Sequence, residues 1–423
     1  MLSTLRNAWK VPELRKRFLW TIFLVAIFRI GIHIPVPGID TSALSTLTES
    51  GGLLSFYNLI SGGAFTKASI LALSVSPYIN ASIIMQLLTI AIPSLEQLSK
   101  EGEEGRKKIQ SITRYVSIGI ACVLALGVYS TIANLGATSG VGTLEKIVII
   151  FSLVVGSTFC MWLGDQITQK GFGNGVSILI FVNIVSQIPS TVNSVYTLKT
   201  AGEISIIEIL LFLVGVIALL AVTIFFSLAE RRVPIQYAGK AVGSKVMKGQ
   251  STHIPLSIIG SAVIAIIFAM SVIMFPTTIA AFFPSKGWAS WITSSKYSIF
   301  NTGTWMYPVC YAVLTVFFTW FYTQITFKPD EMAENLHKSA GFVPGIRPGE
   351  ATEKYFEKLL TKVSIIGGLF AAFLAVTPIL VGKYISGVQF GGTSLLILIG
   401  VALDFSRQLD SQLVMRHYDG FLK

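Results

Sequence analysis

Charge is what this chain is short of. Only 13% of its 423 residues are Asp, Glu, Lys or Arg, about half the ~25% usual in a soluble domain. Cysteine is nearly absent as well. Cys122, Cys160 and Cys310 stand singly in apolar stretches with no CxxC, which excludes a disulfide framework and reads as reduced, buried thiols. The four histidines (His33, His253, His337, His417) are far apart and show no ligand spacing, so no metal centre is expected. No GxxxxGK[ST] occurs; Gly171-Phe172-Gly173-Asn174-Gly175 follows no strand and reads as a helix connector, not a phosphate cradle. No cofactor is expected. What remains is apolar: 52% of residues are hydrophobic and mean hydropathy is +0.70. Single water-soluble cores stop growing near ~250–300 residues, so lipid must cover much of this surface. The chain reads as an all-α, polytopic membrane protein.

Ten stretches reach the ~20 apolar residues that cross a bilayer: about 18–34, 69–92, 112–134, 146–164, 175–192, 205–228, 255–282, 305–327, 359–381 and 393–414. The first is not a cleavable signal, since Pro35-Val36-Pro37-Gly38 marks a turn and no A-x-A site follows. Net charge is +11, and its bases sort to one side. That side takes Arg6, Lys10 and Arg15–Arg17, then Lys100, Arg106–Lys108 and Arg114, then Lys170. It also takes Arg231, Arg232, Lys240, Lys245 and Lys248, then Lys328, Lys338, Arg347, Lys354 and Lys358, and finally Arg407, Arg416 and Lys423. The other side takes Lys67, Lys146, Lys199, Lys286, Lys296 and Lys383, with Trp288, Trp291 and Tyr297 as an interfacial aromatic belt. By the positive-inside rule both termini are cytoplasmic. Ten spans also divide into five plus five, which inverts the second half relative to the first.

Cytoplasmic loops at about 229–254 and 328–358 are longer than ordinary connectors. They are docking surfaces, or else solvated connectors whose bases only set topology. Inside the membrane, ionisable residues are sparse: Arg29, Asp165, Asp404 and Arg407, all toward span ends. That is a poor proton relay and disfavours the competing reading, a secondary transporter of a small solute. Between the first two spans, about 53–65, lies an apolar segment too short to cross and flanked by Gly51-Gly52 and Gly62-Gly63. Such a segment is re-entrant, interfacial or packed in a protein-lined cavity.

Two stretches point to a family. Ser69 through Leu88 (SILALSVSPYINASIIMQLL) is one; Trp162-Leu163-Gly164-Asp165-Gln166-Ile167-Thr168, continuing to Gly171-Phe172-Gly173-Asn174-Gly175-Val176-Ser177, is the other. With Ile34–Gly38, Gln250–Leu256 and Pro344–Gly349 in the same order, the chain resembles the SecY family of bacterial protein-translocation channels over essentially its whole length. Ser74 departs from that pattern, standing where the family usually has glycine. Ile259 and Ala265 depart too, standing where many members have asparagine and proline.

The resemblance implies ten transmembrane helices in two inverted five-helix halves, 1–192 and 193–423, around a central pore. It places an aliphatic constriction at Ile79, Ile83, Ile180, Ile184, Ile267 and Ile397, which would hold back water and ions by dewetting. It makes the 53–65 segment a re-entrant plug helix bearing Leu53, Leu54, Phe56, Tyr57, Leu59, Ile60, Gly62 and Gly63. It makes the two long loops receptors for the ribosome and the SecA motor ATPase, with Arg231, Arg232, Lys338 and Arg347 as contact residues. Arginine suits phosphates or carboxylates there because its fork binds them bidentately. The implied activity is passive, not enzymatic: unfolded preproteins cross, and membrane segments leave sideways into the bilayer. The implied partners are SecE-type and SecG-type small subunits, signal peptides and preproteins, in a bacterial cytoplasmic membrane.

Overall fold

The computed structural model describes Trp9 and residues 11–39, 58, 61–134, 142–202, 205–237, 241–242, 245–246, 251–260, 262–282, 286–295, 297–301, 303–384 and 392–421. Its helices are α1 (Pro12–Gly31), α2 (Ser76–Ala91), α3 (Pro93–Lys100), α4 (Glu103–Asn134), α5 (Thr143–Lys170), α6 (Gly175–Thr200) and α7 (Ile206–Leu228). They continue as α8 (Ala262–Phe282), α9 (Gly287–Ser294), α10 (Met306–Phe327), α11 (Pro329–Lys338), α12 (Glu350–Tyr384) and α13 (Gly392–Phe421). The strands are β1 (Glu230–Tyr237), β2 (Ala241–Val242), β3 (Lys245–Val246), β4 (Ser251–Ser257) and β5 (Gly341–Phe342).

A helix falls on each of the ten apolar stretches. Six (α4, α5, α6, α7, α10 and α12) are long and apolar enough to cross a membrane, and α2 with α3 makes a seventh candidate bent by 101°. The bend lies at Ile92, where Pro93 removes a backbone donor. α7 exposes Leu210, Leu211, Leu213, Val214, Ile217 and Phe225, a surface that suits lipid and would drive aggregation in water. Threonine hydroxyls inside α10 are satisfied locally. On α10, Thr315, Thr319 and Thr323 each donate to the carbonyl one turn back at 2.7 Å, as a medium without water requires.

By packing, the chain divides into two units: Met1–Thr197 with Met274–Ser295 and Val401–Lys423, and Leu198–Ile273 with Lys296–Gly400. In the first, α4 packs on α2 and α5. Its core joins Phe65, Leu73, Leu124, Ala125, Ile149 and Leu153. In the second, α10 packs along α12, and Phe226 of α7 stacks on Phe370 of α12 at 4.1 Å.

Three expectations need revision. The second apolar stretch is not helical from residue 69. Residues 61–75 are turns, and Leu71, Leu73, Ser74 and Val75 are all buried; the helix starts at Ser76, with proline in its first turn. Irregular backbone at this depth is tolerated because protein surrounds it. The two long loops carry regular structure. β4, β1 and β5 form an antiparallel sheet, registered from Glu230 opposite Ser257 to Gln236 opposite Ser251, with Tyr237 opposite Gly341. Val233 and Ile235 turn inward and pack with Leu256, Leu336, Val343, Phe356 and Leu360. The strands are confined to these two loops, and the rest of the described chain is helical or irregular. Finally, Cys160 is buried, but Cys122 faces outward from α4 and Cys310 is only partly covered.

Candidate functional site

The site begins at the end of the glycine-flanked segment. Leu53, Leu54, Phe56, Tyr57, Leu59 and Ile60 lie outside the described residues; Asn58 and Ser61 onward lie within them. From Asn58 to Thr66 the chain is closed by its own hydrogen bonds. Gly63 N–H donates to the Asn58 carbonyl at 2.9 Å, and Thr66 N–H and hydroxyl both reach Asn58 Oδ1 at 3.2 Å. Gly62 is required on two counts. Its φ is +67°, a region that side chains disfavour. A Cβ there would also lie 2.6 Å from Asn183 Oδ1 and 3.0 Å from Arg29 Nη1. Gly63 has φ +85° and open space around it.

Asn183, on α6, is fully buried. Its Nδ2 donates to Ser74 Oγ at 3.4 Å. One turn on, Gln187 Nε2 donates to the Asn58 carbonyl at 2.7 Å. Ser74 itself has φ +49°, a conformation costing an L-residue roughly 1–2 kcal/mol. Glycine, usual here in the family it resembles, would relieve that strain and delete the hydroxyl. Reasoning from the sequence passed over Asn58, Asn183 and Gln187. The available signal was two amides spaced i,i+4 in an otherwise apolar span.

The candidate ring residues are placed on four helices. Ile83 of α2, Ile180 and Ile184 of α6, and Ile397 of α13 are 6–7% exposed, whereas Ile79 of α2 and Ile267 of α8 are half-buried. Buried isoleucines on both helices have an apolar neighbour facing out: beside Ile83, Ile84 is 42% exposed, and beside Ile184, Val185 is 38% exposed. The helices therefore distinguish chemically equivalent side chains by face.

Residues 171–175 join α5 to α6, and side chains consume their donors. Phe172 N–H goes to Thr21 Oγ1 at 3.0 Å, Gly175 N–H to Thr168 Oγ1 at 2.9 Å, and Ser177 N–H to Asn174 Oδ1 at 3.2 Å. Phe172 stacks on Phe18 at 4.9 Å and meets Phe405 edge-on at 4.8 Å. This is a structural joint. Asp165, just before it, is bridged by Arg114 of α4 at 2.8 Å, so a charge near the span end is neutralised by a neighbouring helix.

Arg231, Arg232, Lys338 and Arg347 are all exposed. Arg231 and Arg232 stand at the root of the β1–β4 hairpin, opposite Leu256 and Pro255 and three to four residues past α7. Lys338 is engaged by Glu334 on its own helix at 2.7 Å. Arg347 stands in a tight turn between Gly345 (φ +83°) and Gly349 (φ +99°). Thr352 Oγ1 donates to its carbonyl at 2.8 Å, and Val343 and Ile346 anchor the turn on the sheet's core. The nearby Glu350 is taken by Lys354 at 2.7 Å.

The SecY family model matches residues 69–406. The protein translocase subunit SecY of Rickettsia typhi is 40% identical over 420 residues, covering 97% of this chain and 96% of that one. The chain belongs to the SecY family. That family is one of protein-translocation channels, not of enzymes or solute carriers. Among solved structures, one described as a protein conducting channel aligns with a TM-score of 0.66 at 18% identity, covering 97% of both chains. Sec61 in the canine ribosome-channel complex from the endoplasmic reticulum aligns with a TM-score of 0.60 at 17% identity, again over 97% of both. At those identities the likeness carries the fold: this SecY-family chain has the channel architecture.

Proposed function

We propose that the chain is the passive pore of a translocase in a bacterial cytoplasmic membrane. It spans the membrane ten times as halves 1–192 and 193–423, with both termini cytoplasmic. Ile79, Ile83, Ile180, Ile184, Ile267 and Ile397 form its aliphatic constriction, and 53–65 is its plug. Unfolded preproteins cross and signal peptides or membrane segments leave laterally. A SecA-type motor or a translating ribosome supplies the work through the folded cytoplasmic elements. SecE-type and SecG-type subunits accompany it.

The observation that carries this reading is the packing around α6. Ile180 and Ile184 are buried on the stripe that receives the glycine-rich root of 53–65, while the opposite face turns apolar residues outward. Buried isoleucines beside a separately attached segment suit a seal that yields to a chain. Membrane-purified complex, reconstituted in vesicles with a SecA-type ATPase, ATP and radiolabelled precursor, tests it. Protease-protected precursor is expected only with motor and ATP. Absence of protection, together with accumulation of a small solute, overturns it.

A further inference from the structure

We infer that Asn183 and Gln187 of α6 form a polar latch that holds the root of the 53–65 segment shut, so that the threshold for opening is written on the helix that carries Ile180 and Ile184. The inference rests on the reading of that segment as a plug.

Residues 180, 183, 184 and 187 follow i, i+3, i+4, i+7 and so share one helix stripe. Ile180 and Ile184 are 7% and 6% exposed and Asn183 is fully buried, whereas Val185 on the far side is 38% exposed. Among the described residues, the two amides of this stripe meet the plug root, through the Gln187–Asn58 hydrogen bond and the seat of Gly62 against the Asn183 amide. Ser74 backs Asn183 from α2's side of the site. Arg29 Nη1 closes the other side of Gly62, buried and without a hydrogen bond among the described residues.

Two consequences follow from the chemistry. A displacement of α6 that parts the isoleucines also carries away the partners of Asn58 and Gly62, so ring and plug release together. The bonds are also strong only while the stripe is dry, because water competes for amides. A chain that wets the pore loosens the latch.

The test is resting ion leak of the reconstituted complex, read with acceptance of a precursor bearing a weakened signal sequence. Gln187→Ala and Asn183→Ala should each raise leak about fivefold, the worth of one net hydrogen bond, and rescue the weak precursor. Gly62→Ala should do more, since its Cβ meets Asn183. Val185→Ala, on the exposed face, should do nothing. In a channel lacking 53–65 the latch substitutions should add no leak. If deleting 53–65 raises leak but the latch variants in the intact channel do not, the latch is wrong and the plug reading stands. If the latch variants raise leak equally in the deleted channel, they act through the ring and the latch is again wrong. If the deletion itself changes nothing, the plug reading falls and the latch with it. Should Asn183→Ala fail to accumulate, Gln187→Ala at its partly exposed site decides the matter.

Discussion

On α6 the buried stripe holds two amides beside its isoleucines, and aliphatic side chains off that stripe turn out; in the β1–β4 hairpin the buried side chains are aliphatic and the exposed ones include two arginines. Asn183 is fully buried while Val185 is 38% exposed. On β1, Val233 and Ile235 are 1% exposed, while Arg231 and Arg232 face outward. Each segment sorts side chains by face, α6 at the helical period and β1, from Arg232 to Gln236, at the period of two. The solvent outside each decides which face is polar. Lipid cannot satisfy an amide, so polar groups on α6 find partners in the protein. Water satisfies guanidinium groups, so the hairpin keeps only its aliphatic residues for its core. On the proposed reading the two regions divide the work: a barrier built from apolarity, and a docking surface built from charge.

The most severe way to break that division is to make the barrier polar. Changing Ile79, Ile83, Ile180, Ile184, Ile267 and Ile397 together to asparagine should raise single-channel leak in planar bilayers by orders of magnitude, because a wetted constriction loses its barrier. Unaltered conductance would remove these six from the constriction.

Reversing charge at the docking surface comes next. Arg347→Glu should abolish motor-driven precursor uptake while abundance and thermal stability stay near normal, and Arg347→Lys should be intermediate, since it keeps charge but loses the bidentate fork. Uptake at the normal rate by the Glu variant would make Arg347 a bystander.

A third change sharpens the comparison from inside the cytoplasmic sheet. Phe356 is fully buried in its core, so Phe356→Ala should cost about 3–5 kcal/mol locally. Limited proteolysis should then cut the 229–257 and 328–350 segments while resting ion leak is unchanged. A leak rising in step with cleavage would show that barrier and docking surface are not independent.

The smallest effect is expected at Lys338. Its ammonium is held by Glu334 in an exposed i,i+4 pair, and such pairs contribute little. Lys338→Ala should alter precursor uptake less than twofold in the same vesicle assay. A loss comparable to that of Arg347→Glu would place the docking surface on α11 as well as on the 343–349 turn.

How much of this was legible in the residues differs between the regions. The helices were, because ~20 apolar residues in a row leave the backbone few alternatives in lipid. The strands were not. Arg231-Arg232-Val233-Pro234-Ile235-Gln236 does alternate, but strand β1 depends on partners about 20 and 105 residues away, and Pro234 argues locally against a strand. β5 covers β1 only at Gln236 and Tyr237, which leaves Pro234 at an edge on that side. The turns of residues 61–75 were hidden in the same way: apolar composition reads as span, and only the left-handed Ser74 and the proline-started α2 mark where the helix begins.

Composition, the placement of basic residues and the ordered motifs determined by themselves that this chain crosses a membrane repeatedly and belongs among protein-translocation channels. Lipid selects for those features one segment at a time, so they survive in a linear reading. Tertiary structure alone decided which of many isoleucines face inward, that the two long loops share a core, and that Gly62 is seated against Asn183 while Gln187 holds Asn58. Those facts depend on contacts between residues more than 100 positions apart, and no local preference encodes such a meeting. It is set by the packing of one helix against another.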